Sequence, residues 1–332
     1  MRHMVFYEEI DESEVRPAGL LEEYAALSRS EVERLILGGE LEDVTCPACG
    51  SHKRETAFDR FGLTYRQCRD CLSLYASPRP PESTIYDYYR NSAAELFWHK
   101  AMFPATREAR LDRIASARAT WVCESARELL PNARRFLDIG CHQDGFLREV
   151  ARTGFFEDIV TVNPLVEVAD ELPVSVVADR GCVEPLPRAD VVSLLESVDR
   201  AADVGRLIQG VVNALPAGGL CFVTTTLGSG FDIQALWGDS PIIFPPDRLN
   251  LLTVEGWEAL ASGAGLEIIE FSTPGLFDVE IVRRHREAVR GGLPRFLDYL
   301  VGGRDRQVRG EFQQFLQKSR LSSHGRILLR RR

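Results

Sequence analysis

Between residues 135 and 147 the chain reads Arg135-Phe136-Leu137-Asp138-Ile139-Gly140-Cys141-His142-Gln143-Asp144-Gly145-Phe146-Leu147. An apolar run ends in a glycine-bearing loop, and a helical pattern resumes at once. That order predicts a buried strand, a tight turn and a helix, the arrangement in which bare backbone approaches a nucleotide. Such loops place glycine wherever a side chain would collide with the ligand, yet His142 and Asp144 stand at two of those places. The spacing Gly140-x-His142-x-x-Gly145 is also one change from a dinucleotide fingerprint, with Asn163 further along the chain.

The rest of the chain extends the pattern. After Pro131, apolar runs at 134–139, 158–162, 174–178, 189–195 and 219–226 alternate with helical periods, including one at 202–215 that stops at Pro216-Ala217-Gly218-Gly219. Strand alternating with helix predicts an α/β class built on a parallel sheet with crossover helices. A helix at 254–263 precedes a strand at 266–271. An arginine-rich helical insertion follows, and Arg326-Ile327-Leu328-Leu329-Arg330 reads as a last strand lying antiparallel beside 266–271. The expected organisation is a helical segment over 1–44, a small metal-bound module over 45–81 and a helical linker or lid over 82–130. A strand–helix domain over 131–282 and a basic helical insertion with the final strand over 283–332 complete it.

Eight cysteines occur in the chain, and four have an ordered spacing: Cys46-Pro47-Ala48-Cys49, eighteen intervening residues, then Cys68-Arg69-Asp70-Cys71. Two such knuckles predict a zinc ribbon, because four thiolates close a tetrahedral shell and a short segment without a core of its own gains stability from the metal. A filled four-cysteine shell has no open position, so its role is structural. Four unrelated buried thiols or an iron–sulfur cluster are the alternatives. Cys123, Cys141, Cys182 and Cys221 are scattered and read as small core residues.

With 45% hydrophobic residues the chain can bury a full core, and no apolar run reaches the length of a membrane span. The acidic N-terminus lacks the layout of a signal peptide, which predicts a cytoplasmic protein with reduced thiols. The net charge of -9 argues against nucleic acid as a partner but hides an asymmetry. Residues 283 to 332 carry fourteen Lys and Arg against four acids. A basic tail of this kind could face RNA, an acidic membrane surface or a phosphorylated substrate, but solvated helix faces are the favoured reading, since no aromatic interleaving accompanies the arginines.

From about residue 17 onward the chain resembles class I S-adenosylmethionine-dependent methyltransferases. It is similar in particular to a bacterial group with an N-terminal zinc ribbon, associated with surface polysaccharides and sugar nucleotides. The resemblance rests on Cys46-Pro47-Ala48-Cys49-Gly50-Ser51, Leu74-Tyr75-Ala76-Ser77-Pro78-Arg79-Pro80, Leu137-Asp138-Ile139-Gly140-Cys141, Leu215-Pro216-Ala217-Gly218-Gly219, Pro245-Pro246-Asp247-Arg248-Leu249-Asn250, Ser272-Thr273-Pro274-Gly275 and Leu321-Ser322-Ser323-His324. It implies a Rossmann-like methyltransferase fold, a mostly parallel sheet with an antiparallel last strand, preceded by the ribbon and helical segments. Asp138 and the antiparallel strand fit this pattern better than the dinucleotide one.

The resemblance also implies site residues. Asp138, Gly140, Cys141, His142 and Gly145 fall in the cofactor loop, Asn163 takes the place of the ribose-binding acid after the second strand, and Asp179 matches the adenine-binding acid. An acidic–histidine pair falls on Asp199-Arg200, and the proline-loop histidine falls on Arg248. Guanidinium binds anions but keeps its proton, so the bases still available are His142, Glu196, Asp199 and Tyr75. The resulting expectation is methyl transfer to a small, anionic carbohydrate or nucleotide-linked acceptor, phosphorylated or carboxylated. Two alternatives accompany it: a cleft that has given up methyl transfer for another ligand or reaction, and a non-catalytic partner protein.

Overall fold

The computed structural model describes residues 12–140, 144–162, 172–177 and 185–332. Among the described residues, eleven strands appear in chain order: β1 (Arg54–Arg60), β2 (Leu63–Cys68), β3 (Leu74–Ala76), β4 (Arg135–Ile139), β5 (Asp158–Val162), β6 (Ser175–Val177), β7 (Val191–Leu195), β8 (Leu220–Thr226), β9 (Asn250–Leu251), β10 (Leu266–Ser272) and β11 (His324–Arg331). Seven of them form one sheet in the order β10-β11-β8-β7-β4-β5-β6. The pairs from β8 through β7, β4 and β5 to β6 are parallel. β11 runs antiparallel to both β10 and β8 and so lies between them. The expected strands are all present, and the last one closes the sheet on two sides.

All residues of β7 and β8 are buried, as strands covered on both faces must be. One cover is the helix Val204–Ala214, whose Val204, Leu207, Ile208, Val211 and Ala214 recur at helical spacing on the buried face. Asp203 caps it, accepting from the Arg206 backbone N–H. The other face packs against Ser116–Leu129 and Asp144–Arg152, through Trp121, Val122, Phe136, Phe146 and Leu147.

The cysteine segment forms a second sheet, ordered β1-β2-β3-β9. β9 belongs to the chain that follows the proline loop, and it pairs Leu251 with Leu74 and Asn250 with Tyr75. The ribbon is thus continuous with the larger domain. Asn250 makes the junction polar: its amide donates to the carbonyls of Val198 and Ala201, and Arg79 donates to its oxygen.

Helices dominate 82–129, as the aromatic-rich pattern predicts, with π-turns at Trp98–Met102 and Leu111–Ala115 interrupting them. The long helix Ala18–Gly38 packs on this layer. Its Glu31 accepts from the Ser92 hydroxyl and the Ala93 and Ala94 N–H groups, capping Ala93–Phe97 from another element. These segments together form a cap over the carboxyl ends of the parallel strands.

Candidate functional site

The first glycine of the loop is held from two sides. Gly140 leaves β4 with φ +78, a left-handed backbone that favours glycine, and its N–H donates to Val162 O. A Cβ here would stand 2.9 Å from Ser197 Oγ, which itself donates to Ile139 O at 2.6 Å. Just before it, Asp138 is buried and accepts from the Ser193 hydroxyl, leaving Oδ2 without a partner among the described residues. Burial pushes its carboxyl up to about 6. A buried acceptor beside a bare backbone turn fits the ammonium end of S-adenosylmethionine.

Gly145 answers to packing. A Cβ there would lie 2.5 Å from Leu111 Cδ2, so this glycine lets the helix Asp144–Arg152 approach the cap. Cys141, His142, Asn163 and Asp179 lie outside the described residues.

The residues after β7 converge with the proline loop. Glu196 takes a left-handed conformation, φ +62, and opens the short helix Ser197–Arg200. Its two oxygens accept from Arg118 at 2.7 Å and Arg248 at 3.1 Å. Burial works against its charge, but Arg118 and Arg248 override it and hold the carboxyl well below its ordinary value. Asp199 is fully buried. It accepts from the Thr225 hydroxyl and, at 2.9 Å, from the Thr226 N–H, with Arg248 Nε at 3.6 Å. Burial outweighs these partners and pushes it up to about 6.

Arg200 points toward the cap. Its guanidinium lies 3.4 Å from Asp247 and 4.0 Å from Glu95, over the ring of Tyr89. Tyr24 donates to Asp247 at 2.6 Å and to Glu95 at 3.3 Å. His99 stands 3.9 Å from Glu95, and burial and Arg200 lower its basicity. Burial, reinforced by Asp247, raises Glu95 to about 7.

The structure thus gathers Glu196, Asp199, Arg200 and Arg248, and adds Tyr24, Tyr89, Glu95, His99, Arg118, Asp247 and His324. His324 opens β11 opposite Thr226, and burial with Arg118 pushes it down to about 3, so it is neutral. Asp247 and His324 stood inside motifs already noted, while Glu95 and His99 show only helix spacing. Arg200 and Arg248 do not form an open anion clamp, because the fold supplies their carboxylates internally. Several buried groups lack hydrogen-bond partners among the described residues: Tyr89 OH, His99 Nε2, Arg200 Nε and Nη1, and Asp247 Oδ1. Polar atoms so buried are costly to leave without partners, and they mark the seam between cap and sheet as the most polar part of the interior described.

Tyr75 lies elsewhere, in β3 within the ribbon core. Beside it the sulfurs of Cys46, Cys49, Cys68 and Cys71 lie within 4.8 Å of one another, with Cys46–Cys71 at 3.5 Å and Cys49–Cys68 at 3.6 Å. A tetrahedral zinc with arms of ~2.3 Å has sulfur–sulfur edges of roughly 3.8 Å, so the four fit one ion. Tyr65 of β2 donates to the Arg248 carbonyl at 2.7 Å, linking ribbon to site.

The profile of a methyltransferase-domain family matches residues 106–271. No curated protein matches the chain. Among solved structures, an S-adenosylmethionine-dependent methyltransferase from Mesorhizobium loti is 15% identical and covers 67% of this chain and 100% of its own, at a TM-score of 0.43. The O-methyltransferase from a trans-AT polyketide synthase of Brevibacillus brevis, in complex with S-adenosylhomocysteine, is 14% identical over 73% of this chain and 80% of its own, at 0.44. An amino pentose methyltransferase from Micromonospora echinaspora, bound to S-adenosylmethionine, is 16% identical over 52% and 90%, at 0.37.

Proposed function

The chain belongs to this methyltransferase-domain family and is a class I S-adenosylmethionine-dependent methyltransferase; from that premise we propose that its acceptor is a small molecule of the carbohydrate or nucleotide-linked class, seated between the cap and the carboxyl ends of β4 and β7. The observation that carries this is the set of unpartnered groups on Tyr89, His99, Arg200 and Asp247, which offer donors and acceptors to several hydroxyls at once. An anionic group on the acceptor engages Arg200 by exchanging with Asp247, since that guanidinium is already neutralised.

The cofactor supplies an electrophilic methyl group, and Asp138, Gly140, Cys141, His142, Gly145, Asn163 and Asp179 are the residues that would hold it. The protein's share is alignment of the acceptor and removal of its proton. Arg118 and Arg248 keep Glu196 ionised, which makes it a fixed charge and a weak base. Glu95, raised to about 7, is matched to taking a proton near neutral pH. Asp199 adds a second buried carboxyl to this site, and His142 stays a candidate base on its place in the loop motif. In the ribbon, Cys46, Cys49, Cys68 and Cys71 hold a structural zinc that fixes the strand behind Arg248.

Calorimetric titration with S-adenosylmethionine and S-adenosylhomocysteine tests the reading. No heat and no thermal shift at millimolar ligand sinks it, and tight binding excludes the alternative of a cleft given over to another ligand. Labelled methyl transfer to sugar nucleotides then tests the acceptor class.

A further inference from the structure

The insertion between β10 and β11 sets exposed aromatic rings among its solvated arginines. Phe296 and Tyr299 are 72% and 56% exposed, and they stand among Arg295 and Arg304. Beside them lies a recess of about 410 Å3 lined by Arg286, Arg295, Asp298, Tyr299, Gly302 and Gly303. It is open to solvent and lined mainly by exposed residues.

The floor of the recess is a single π-turn, Tyr299–Gly303, a backbone form that recurs at functional positions. Its two glycines shape what lies above them. A Cβ on Gly302 would stand 3.2 Å from Arg286 Nε, and one on Gly303 would stand 3.0 Å from the Tyr299 ring. Their hydrogens leave the guanidinium and the ring close against the turn. Arg304 Nη1 donates to the Tyr299 hydroxyl at 3.3 Å and steadies that ring.

The two lining arginines retain donor capacity. Arg286 donates to the Arg283 carbonyl but meets Asp298 and Glu287 only at 3.6 Å, beyond hydrogen-bond distance. Arg295 has no ion pair among the described residues. Arg248 in the cleft, by contrast, hydrogen-bonds directly to a buried carboxylate.

We propose that this recess binds a nucleoside diphosphate, with the diphosphate between Arg286 and Arg295, the base on the exposed ring of Tyr299 and a ribose hydroxyl donating to Asp298. Two planar guanidinium groups suit phosphate oxygens, and one solvent-facing ring gives a stacking platform for any base. The inference stands apart from methyl transfer, since none of these residues lines the cleft.

The test is calorimetric titration of the full chain at low salt with uridine diphosphate and, separately, inorganic pyrophosphate. Both should bind, the nucleotide more tightly. Arg295→Ala should weaken both by about tenfold. Tyr299→Ala should weaken the nucleotide by roughly fivefold or more while sparing pyrophosphate. Both side chains are exposed, so circular dichroism should match the parent. Titration with S-adenosylhomocysteine should be unchanged in both variants, and its failure in the parent would count against the methyltransferase reading only. The proposal is overturned if the parent takes up neither ligand at millimolar concentration, if Arg295→Ala binds as the parent does, or if only oligouridylate binds.

Discussion

Two polar clusters in this molecule balance their charge in opposite ways. The ribbon brings four sulfurs within 4.8 Å and supplies no cation among them. The cleft brings together Glu95, Glu196, Asp199 and Asp247 and meets them with Arg118, Arg200 and Arg248 from three separate elements. On the proposed zinc reading, the first cluster takes its cation from outside, and its stability is linked to that ion. The second carries its own cations, each already facing a carboxylate of the same chain.

The largest effect should come from the ribbon. Zinc bound by four thiolates contributes on the order of 10 kcal/mol to a small module, so the chain should hold one zinc per molecule by atomic emission. A strong chelator, or Cys46→Ser with Cys71→Ser, should unfold β1 to β3, with a large fall in Tm. A parent that is metal-free and fully folded would break the comparison.

Next is Arg248→Ala, which leaves Glu196 and Asp199 buried with one cation fewer. Removing one partner of a buried pair costs roughly 3–5 kcal/mol, measurable by urea unfolding. Tyr24→Phe removes the 2.6 Å bond to Asp247 and should cost about 1–3 kcal/mol.

A smaller effect, visible as a slope, belongs to Glu95. Its carboxyl is raised to about 7, first by burial and then by Asp247. A group raised in the folded state stabilises fully below its unfolded value and loses that contribution as pH climbs through the folded one. Glu95→Gln should therefore gain on the parent in Tm between about pH 5 and pH 8. The least effect is expected at the exposed pair Arg134–Glu157, where Arg134→Ala should cost under ~1 kcal/mol.

The sheet was legible because buried parallel strands are near-continuous runs of apolar and β-branched residues, Val-Val-Ser-Leu-Leu in β7 and Leu-Cys-Phe-Val-Thr-Thr-Thr in β8. β1 was not, since Arg54, Glu55, Asp59 and Arg60 mask any alternation on a half-exposed strand. β9 is two residues long and has no period to read. In the cleft, Asp199, Arg200 and Arg248 could be placed by motif, and Glu196 by its position after a strand. Tyr24 and Asp247 meet across 223 residues, and no local pattern announces such a contact. Glu95 looks like any acid on a helix face until burial shows otherwise. Gly145 carries a packing demand that the loop motif does not announce, since a Cβ there would meet Leu111.

The pairing of β3 with β9 sets an order of assembly. Leu74 waits for Leu251, so the ribbon sheet is among the most non-local contacts in the chain, and non-local pairing slows folding. A ribosome releases the knuckle cysteines long before their last strand exists. In that interval only β1 to β3 are available to the four thiols, and the edge of β3 stays unpaired until Asn250 and Leu251 arrive to close the seam.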